Sequence, residues 1–382
     1  MKYLCLLLFL LPLYCFAQLT IKGKVINTVD GKPIPDASVF LNNATIGTKS
    51  ADNGTFTLYR LSPGQYDLVV SVIGYETYRE IIMVNGAMII PDIKMLPKTM
   101  MMKEVVIGGK DPKRARKLRM FKEQFLGRAL FWRDCKILNP EILKLTFSKR
   151  EHILTASTDD FLEIENNALG YKLKYLLNNF VLDEDALNMK YEGFALFEEI
   201  EGTAEQKDKW EANRNRVYYG SPTHFLRAIL ADKADSDFVV RPFCIKFVER
   251  VTSDHKRRLI TQTGDSTSYL IPRYDTLHVA NYIYKTDKRG VYAINYPVDL
   301  DVFYYPPGVM HFYNLNLAYG NHRQIGSIDF IDKNVFFDLN GTILNPTGAF
   351  FRYSWGITRI AELLPIDYWP PLREPKRKEV RH

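Results

Sequence analysis

Residues 47–76, GTKSADNGTFTLYRLSPGQYDLVVSVIGYE, decide the fold of the amino-terminal part of this chain. Apolar and polar residues alternate along GTFTLYRL and QYDLVVSV, the period-2 pattern of strands with one buried face. Asp52-Asn53-Gly54 is a hairpin signal in which Gly54 takes a positive φ without strain, and Ser62-Pro63-Gly64 marks the next turn. Outward from this stretch, LTIKGKVI (19–26) alternates Leu19, Ile21, Gly23 and Val25 against Thr20, Lys22 and Lys24. Asp30-Gly31 turns the chain, and Pro33 and Pro35 keep the next stretch out of a central strand. ASVFLN (37–42), ATIGTKS (44–50), AMIIPDIKML (87–96) and EVVIGG (104–109) complete a set of short segments. The pattern predicts an antiparallel β-sandwich over residues 18–108. Gly74, inside a strand-like run, predicts a bulge or a close backbone approach.

These pieces occur in the order GKVIN (23–27), GKPIPDASVFL (31–41) and then the stretch quoted first. In that order they resemble the carboxypeptidase-regulatory-like domain, a seven-stranded transthyretin-like or Ig-like β-sandwich. The family accompanies some secreted zinc carboxypeptidases and precedes the plug of many TonB-dependent outer-membrane receptors. SVIGYE and the closing EVVIG are most like the receptor-associated version. Where the family usually carries Thr-Asp before the turn, this chain has Ser50-Ala51, so a turn-stabilising carboxylate is missing and Asp52 is expected to replace it in part. The resemblance implies a structural appendage without catalytic residues, and Tyr75 is expected to pack rather than bind.

Residues 1–17, MKYLCLLLFLLPLYCFA, read as a signal peptide: Lys2, a short apolar run, then Cys15 and Ala17 before a cut at Gln18. A bilayer span needs about 20 apolar residues, and nothing after residue 17 approaches that. The expectation is an exported protein, periplasmic or associated with the outer membrane, with no transmembrane segment after signal cleavage. Acylation at Cys15 is the weaker reading because Tyr14 is bulky. Export demotes kinases and dehydrogenases, which need cytoplasmic cofactors, and also disfavours nucleic acid. Composition is ordinary for a globular chain at 46% hydrophobic and 25% charged residues, with 13% aromatics favouring strands. Beyond the leader only Cys135 and Cys244 remain, read as buried thiols rather than a disulfide scaffold.

Residues 109–133 read as a basic linker helix, with Asp111 as cap and Pro112 in the first turn. Leu118, Phe121, Phe125 and Ala129 form its apolar face. Lys113, Arg114, Arg116, Lys117 and Arg119 crowd the amino end, where cations oppose the macrodipole by about 0.3–1 kcal/mol each. Such a cluster is expected to meet anionic lipid headgroups or an envelope protein; the plainer alternative is a solvated face.

Residues 134–370 mix both periodicities and predict an α+β domain, with 371–382 a basic tail. Strands are expected at 143–148, 152–158, 161–165, 171–177, 189–200, 277–286, 301–305 and 324–331, and helices at 204–219, 221–231 and 355–365. NNALGYKLKYLL (166–177), NRNRVYYGSPTHFLRAIL (213–230) and RIAELLPIDYWP (359–370) resemble an uncharacterised segment that follows such modules in other secreted bacterial proteins. The resemblance brings no chemistry with it.

The seven histidines, at 152, 224, 255, 278, 311, 322 and 382, form no HxxE or HExxH pattern. GxSxG, Walker, GxGxxG and CxxC motifs are also missing, so neither a metal nor a cofactor is expected. The best polar constellation is Tyr218, Ser221, His224 and Arg227, the last three at successive i+3 steps on one helix. Ser221 is an N-cap, so its hydroxyl is already engaged, and no acid nearby in sequence orients His224. The expected function is therefore non-enzymatic: an exported binding or scaffolding module, working with TonB-dependent systems. The rival is a hydrolase with an unrecognised active site in 134–370, for which Glu163, Glu165, Glu198, Glu199 and Glu201 are candidates for an acid–base pair.

Overall fold

The computed structural model describes residues 19–98, 113–128, 130–186, 188–243, 248–251, 257–262, 268–272, 277–305 and 325–371. They form two compact units, one of Met1–Phe40 with Ile46–Lys98 and one of Leu41–Thr45 with Thr99–His382.

Unit 1 holds β1 (Leu19–Asn27), β2 (Ser38–Leu41), β3 (Gly47–Lys49), β4 (Thr55–Leu61), β5 (Gly64–Ser71), β6 (Tyr78–Val84), β7 (Met88–Ile89) and β8 (Ile93–Met95). They make two four-stranded sheets, β3-β2-β5-β6 and β4-β1-β7, with β8 also on β1. This is a β-sandwich whose core is the buried alternate residues Ile21, Val25, Leu58 and Ile93 of one sheet and Val39, Leu68, Val70 and Val84 of the other. It is not wholly antiparallel: β7 and β8 both run parallel to β1. The turn at residues 52–54 also differs from expectation, because it carries the chain from β3 in one sheet to β4 in the other and closes no hairpin. Gly54 is required there, with φ +78° and a Cβ position 2.4 Å from the Val25 carbonyl oxygen. Asn53 rather than Asp52 stabilises the turn, its Oδ1 accepting from the Thr55 N–H at 3.1 Å and hydroxyl at 2.7 Å. Buried Ser50 accepts from the Ala37 N–H and donates to the Ile34 carbonyl, so the departure from Thr-Asp is filled by a hydroxyl that pins neighbouring backbone. Gly74 lies in the β5–β6 turn at φ +89°, where an added Cβ would meet nothing within 4 Å, and its carbonyl accepts from the Lys98 N–H at 2.8 Å. EVVIGG lies outside the described residues.

Unit 2 begins with α1 (Arg114–Phe125), followed by β9 (Cys135–Ile137), β10 (Lys144–Ser148), β11 (Ile153–Ser157), β12 (Leu162–Asn166), β13 (Tyr171–Asp183) and β14 (Asn188–Glu199). The strands form one sheet in the order β10-β11-β13-β12-β9, with β14 along β13. Phe121 and Phe125 of α1 are fully buried against it, with ring centroids 4.9 Å from Phe180 and 5.2 Å from Tyr175. The described helix is shorter than 109–133: it ends before Gly127, whose φ of +91° turns the chain. Asp111, Pro112 and Ala129 lie outside the described residues.

Next come α2 (Ala204–Tyr218), α3 (Pro222–Leu230), α4 (Ala234–Asp237), β15 (Phe238–Phe243), β16 (Val248–Val251), β17 (Arg257–Gln262) and β18 (Ser268–Pro272). The chain continues with β19 (Ile283–Lys285), β20 (Val291–Ile294), β21 (Asp299–Tyr304), β22 (Ile325–Phe330), β23 (Val335–Asp338), β24 (Ala349–Tyr353) and α5 (Ser354–Ile357). The order β15-β21-β22-β24 makes a sheet whose apolar face, including Val240, Val302 and Ile328, shares a core with Phe225 and Ile229 of α3. The register places Arg241, Asp301, Ser327 and Arg352 in a row on the opposite face. Two expectations fail here. Residues 277–286 are mostly a 3-10 turn at Val279–Tyr282 followed by the three residues of β19. Residues 355–365 form no continuous helix, because Thr358 and Arg359 are extended and separate α5 from a 3-10 turn at Ile360–Glu362. Among the described residues no helix is long and apolar enough to cross a membrane.

Candidate functional site

Helix α2 starts with a capping box, in which the Thr203 hydroxyl accepts from the Gln206 N–H and the Gln206 side chain accepts from the Thr203 N–H. One face of α2 grips the loop before β13: Trp210 Nε1 donates to Asn167, Asn213 to Ala168, and Arg214 Nε to Leu169. The loop approaches so closely that a Cβ on Gly170 would lie 2.2 Å from the Trp210 ring. Asn166 in turn donates to the Ala361 carbonyl, and the Tyr368 hydroxyl donates to Asn215. The three stretches that stand out in the carboxy-terminal sequence, 166–177, 213–230 and 359–370, thus meet in space.

Where α2 passes into α3, the second and third of these stretches border a cleft of about 1080 Å³, which 166–177 does not line. Its walls include Tyr218, Tyr219, Ser221, Trp355, Ile366 and Tyr368. Gly220 turns between the helices at φ +84°, and its carbonyl accepts from Trp355 Nε1 at 2.7 Å. The volume lies just above the range of about 300–1,000 Å³ usual for small-molecule sites. Arg128, Arg216 and Arg227 border it, against one carboxylate, Glu362, which accepts from the Leu130 N–H.

Three of the four residues singled out from sequence, Tyr218, Ser221 and Arg227, line this cleft; His224 does not. Arg227 is 5% exposed and donates to the carbonyls of Asn340, Tyr368 and Ile366 at 2.8, 2.8 and 2.6 Å. Its guanidinium also lies 3.9 Å from the Trp369 ring centroid. It is a clamp on the carboxy-terminal wall. Burial raises the Tyr218 hydroxyl pKa against the pull of Arg227, and burial pushes that of Tyr368 up to about 12.

Ser221 caps α3, its hydroxyl accepting from the His224 N–H at 3.1 Å. His224 Nδ1 accepts from the Gly220 N–H at 3.1 Å, while Nε2 faces Asp237 Oδ2 at 3.5 Å. Asp237 is the acid that sequence spacing missed, since it follows one helix later at the end of α4. With Nδ1 turned to Gly220 and Nε2 to Asp237, the ring is oriented for holding α3 against α4, and not as a base for Ser221.

The basic residues of α1 divide into separate environments. Arg114 Nη2 donates to the carbonyls of Pro140, Glu141 and Leu143, and Lys117 Nζ to Leu145 at 3.4 Å. Arg116 lies over the Phe147 ring at 5.9 Å, and Lys113 is the exposed N-cap residue. Of the five cations at the helix start, only Arg119 borders a groove. The charge crowding at the helix start is thus met in part by the protein's own carbonyls, and the five cations do not make one patch.

Of the grouped acids, Glu163 pairs with Lys172, Glu198 with Lys174 and Glu199 with Arg214. Among the described residues no cluster of His, Cys, Asp or Glu has the geometry to hold a metal. Cys135 is a free thiol, its pKa pushed up to about 12 by burial and by Asp134 and Glu362. Cys244 lies outside the described residues.

Residues 21–107 match the family model of the CarboxypepD_reg-like domain. Unit 1 is a carboxypeptidase-regulatory-like domain. The regulatory-like domain has its own core, so the chemistry of the cleft belongs to unit 2 and is not covered by this match. No curated protein matches the chain. Among solved structures, an N-terminal interface mutant of a type II cohesin–X-dockerin complex from Acetivibrio cellulolyticus is similar at 19% identity over 21% of this chain and 58% of that one, with a TM-score of 0.19. This chain therefore spans less than two thirds of that structure. A DUF3823 family protein from Bacteroides ovatus is similar at 14% identity over 48% of this chain and 82% of that one, with a TM-score of 0.18. Superpositions this loose carry no argument about ligand or activity.

Proposed function

We propose that this chain is an exported, non-enzymatic binding protein of the cell envelope, working in the periplasm or at the outer membrane alongside TonB-dependent systems. In this reading the regulatory-like domain is the structural appendage and the cleft of unit 2 holds the ligand. The observation that carries it is the cleft itself: separate stretches of chain, among them 212–223 and 354–368, build its walls, and Arg227, Ser221 and the nearby His224 are engaged in holding them. Aromatic walls interspersed with hydroxyl and amide groups suit a small polar ligand with an apolar face, such as a saccharide or short peptide. Residues 1–17 support export, and the regulatory-like domain supports the envelope setting.

Ala212 borders the cleft from the exposed side of α2, so Ala212→Trp plugs it without removing a polar contact. Thermal-shift measurements against panels of oligosaccharides and short peptides are expected to show at least one class stabilising the wild type. Ala212→Trp should melt normally and lose that response. Turnover of any ester, peptide or glycoside that Ser221→Ala abolishes would establish the hydrolase instead.

A further inference from the structure

A second concavity of about 470 Å³ lies between α1 and the 3-10 turn at Trp132–Asp134. Leu118, Leu126 and Trp132 supply its apolar surface, and Arg119, Lys122 and Arg133 bring three cations to it. Arg119 and Lys122 sit three residues apart on one helix face, while Arg133 comes from the turn opposite. The Arg133 guanidinium lies 5.0 Å from the Trp132 ring centroid, which holds it beside the apolar surface. Among the described residues none of these three cations has an acidic partner. The single lining carboxylate, Glu123, is paired with Arg128. Burial keeps the Cys135 thiol, which also lines the groove, protonated and so uncharged at neutral pH.

We infer that this groove binds an alkyl phosphate: a phosphate held by Arg119, Lys122 and Arg133, joined to an apolar group lying on Leu118, Leu126 and Trp132. Guanidinium groups favour phosphate because their paired N–H donors match its oxygens. The apolar surface next to the cations selects an amphiphile over a bare anion, because burying its methylenes removes apolar area from water. An anionic lipid headgroup and a soluble phosphomonoester both present this chemistry. The inference goes beyond the proposed cleft and uses none of the residues that line it, so the two fail separately.

Titration calorimetry of the full chain with octyl phosphate should show one saturable site, and inorganic phosphate should bind at least about tenfold more weakly. Arg119→Gln, Lys122→Gln and Arg133→Gln should each weaken octyl phosphate about five- to tenfold. Trp132→Ala should weaken octyl phosphate more than it weakens inorganic phosphate. Lys207→Gln, an exposed lysine on α2, makes the same charge change away from the groove and should have no effect. The inference is overturned if octyl phosphate does not bind, if phosphate binds as tightly, or if Lys207→Gln weakens binding as much as Arg119→Gln. Given octyl phosphate binding, co-sedimentation with phosphatidylglycerol but not phosphatidylcholine vesicles assigns the source to lipid. Without co-sedimentation the source is a soluble phosphomonoester, and the groove assignment stands. Ala212→Trp should retain octyl phosphate binding, separating this test from that of the cleft.

Discussion

The two units satisfy their polar groups over different distances along the chain. In the regulatory-like domain the contacts are near in sequence: Asn53 serves Thr55 two residues on, and Ser50 reaches Ala37 and Ile34, 13 and 16 residues back. In unit 2 the deciding bonds are remote. Asn166 reaches Ala361 across 195 positions, Tyr368 reaches Asn215 across 153, and Arg227 reaches Asn340 across 113. A turn stabilised by its own residues forms wherever that sequence occurs, whereas a clamp between distant segments exists only once both are in place. Substitutions should respect the same division. Calorimetry of the full chain is expected to resolve a separate transition for each unit.

The largest effect is expected at Arg227. Arg227→Met keeps much of the volume but leaves three backbone carbonyls without their donor in a site only 5% exposed. The transition of unit 2 should lose about 3–5 kcal/mol, measured by urea denaturation, with that of unit 1 unchanged. An equal loss in both transitions would break the comparison. Gly170→Ala should follow, at about 2–3 kcal/mol, because φ is +68° and the new methyl meets the Trp210 ring. Its loss should again be confined to unit 2.

A smaller effect comes from Asp301, whose register neighbours are Arg241 on β15 and Ser327 on β22, with Asp299, Asp329 and Arg352 nearby on the same sheet face. Burial pushes its pKa up to about 6, with Arg352 opposing and Asp329 and Asp299 adding to the shift. A carboxyl raised in the folded state binds more protons there than in the unfolded chain. Its ionisation therefore costs stability, from nothing below the ordinary carboxylate range to the full amount above about pH 6. Asp301→Asn should match the wild type near pH 4 and exceed it by about 1–2 kcal/mol at pH 7.5. Equal stabilities at both pH values would show that its neighbours offset the burial. The smallest change is expected in unit 1: Asn53→Ala should cost about 1 kcal/mol, and Asp52→Ala almost nothing. The reverse order would return the turn to the carboxylate that sequence reasoning favoured.

The strand positions of the sandwich were legible because period-2 alternation and turn residues act within a few positions. The sheet that each strand joins was less so. β7 and β8 lie parallel to β1, and residues 52–54 cross between sheets, because pairing follows the closing of the whole core and not the turn alone. In unit 2 the helix starting at Ser221 was legible from its cap and Pro222, and three members of the polar constellation do line the cleft. Asp237 beside His224, Lys122 and Arg133 joining Arg119, and the carbonyls that occupy Arg114 and Arg227 were not. By itself the sequence determined local periodicity, caps, turns and the regulatory-like family. The tertiary structure alone decided which charges are neutralised and which face a cavity, because those energies depend on distance in space, and the groups that set them lie far apart along the chain.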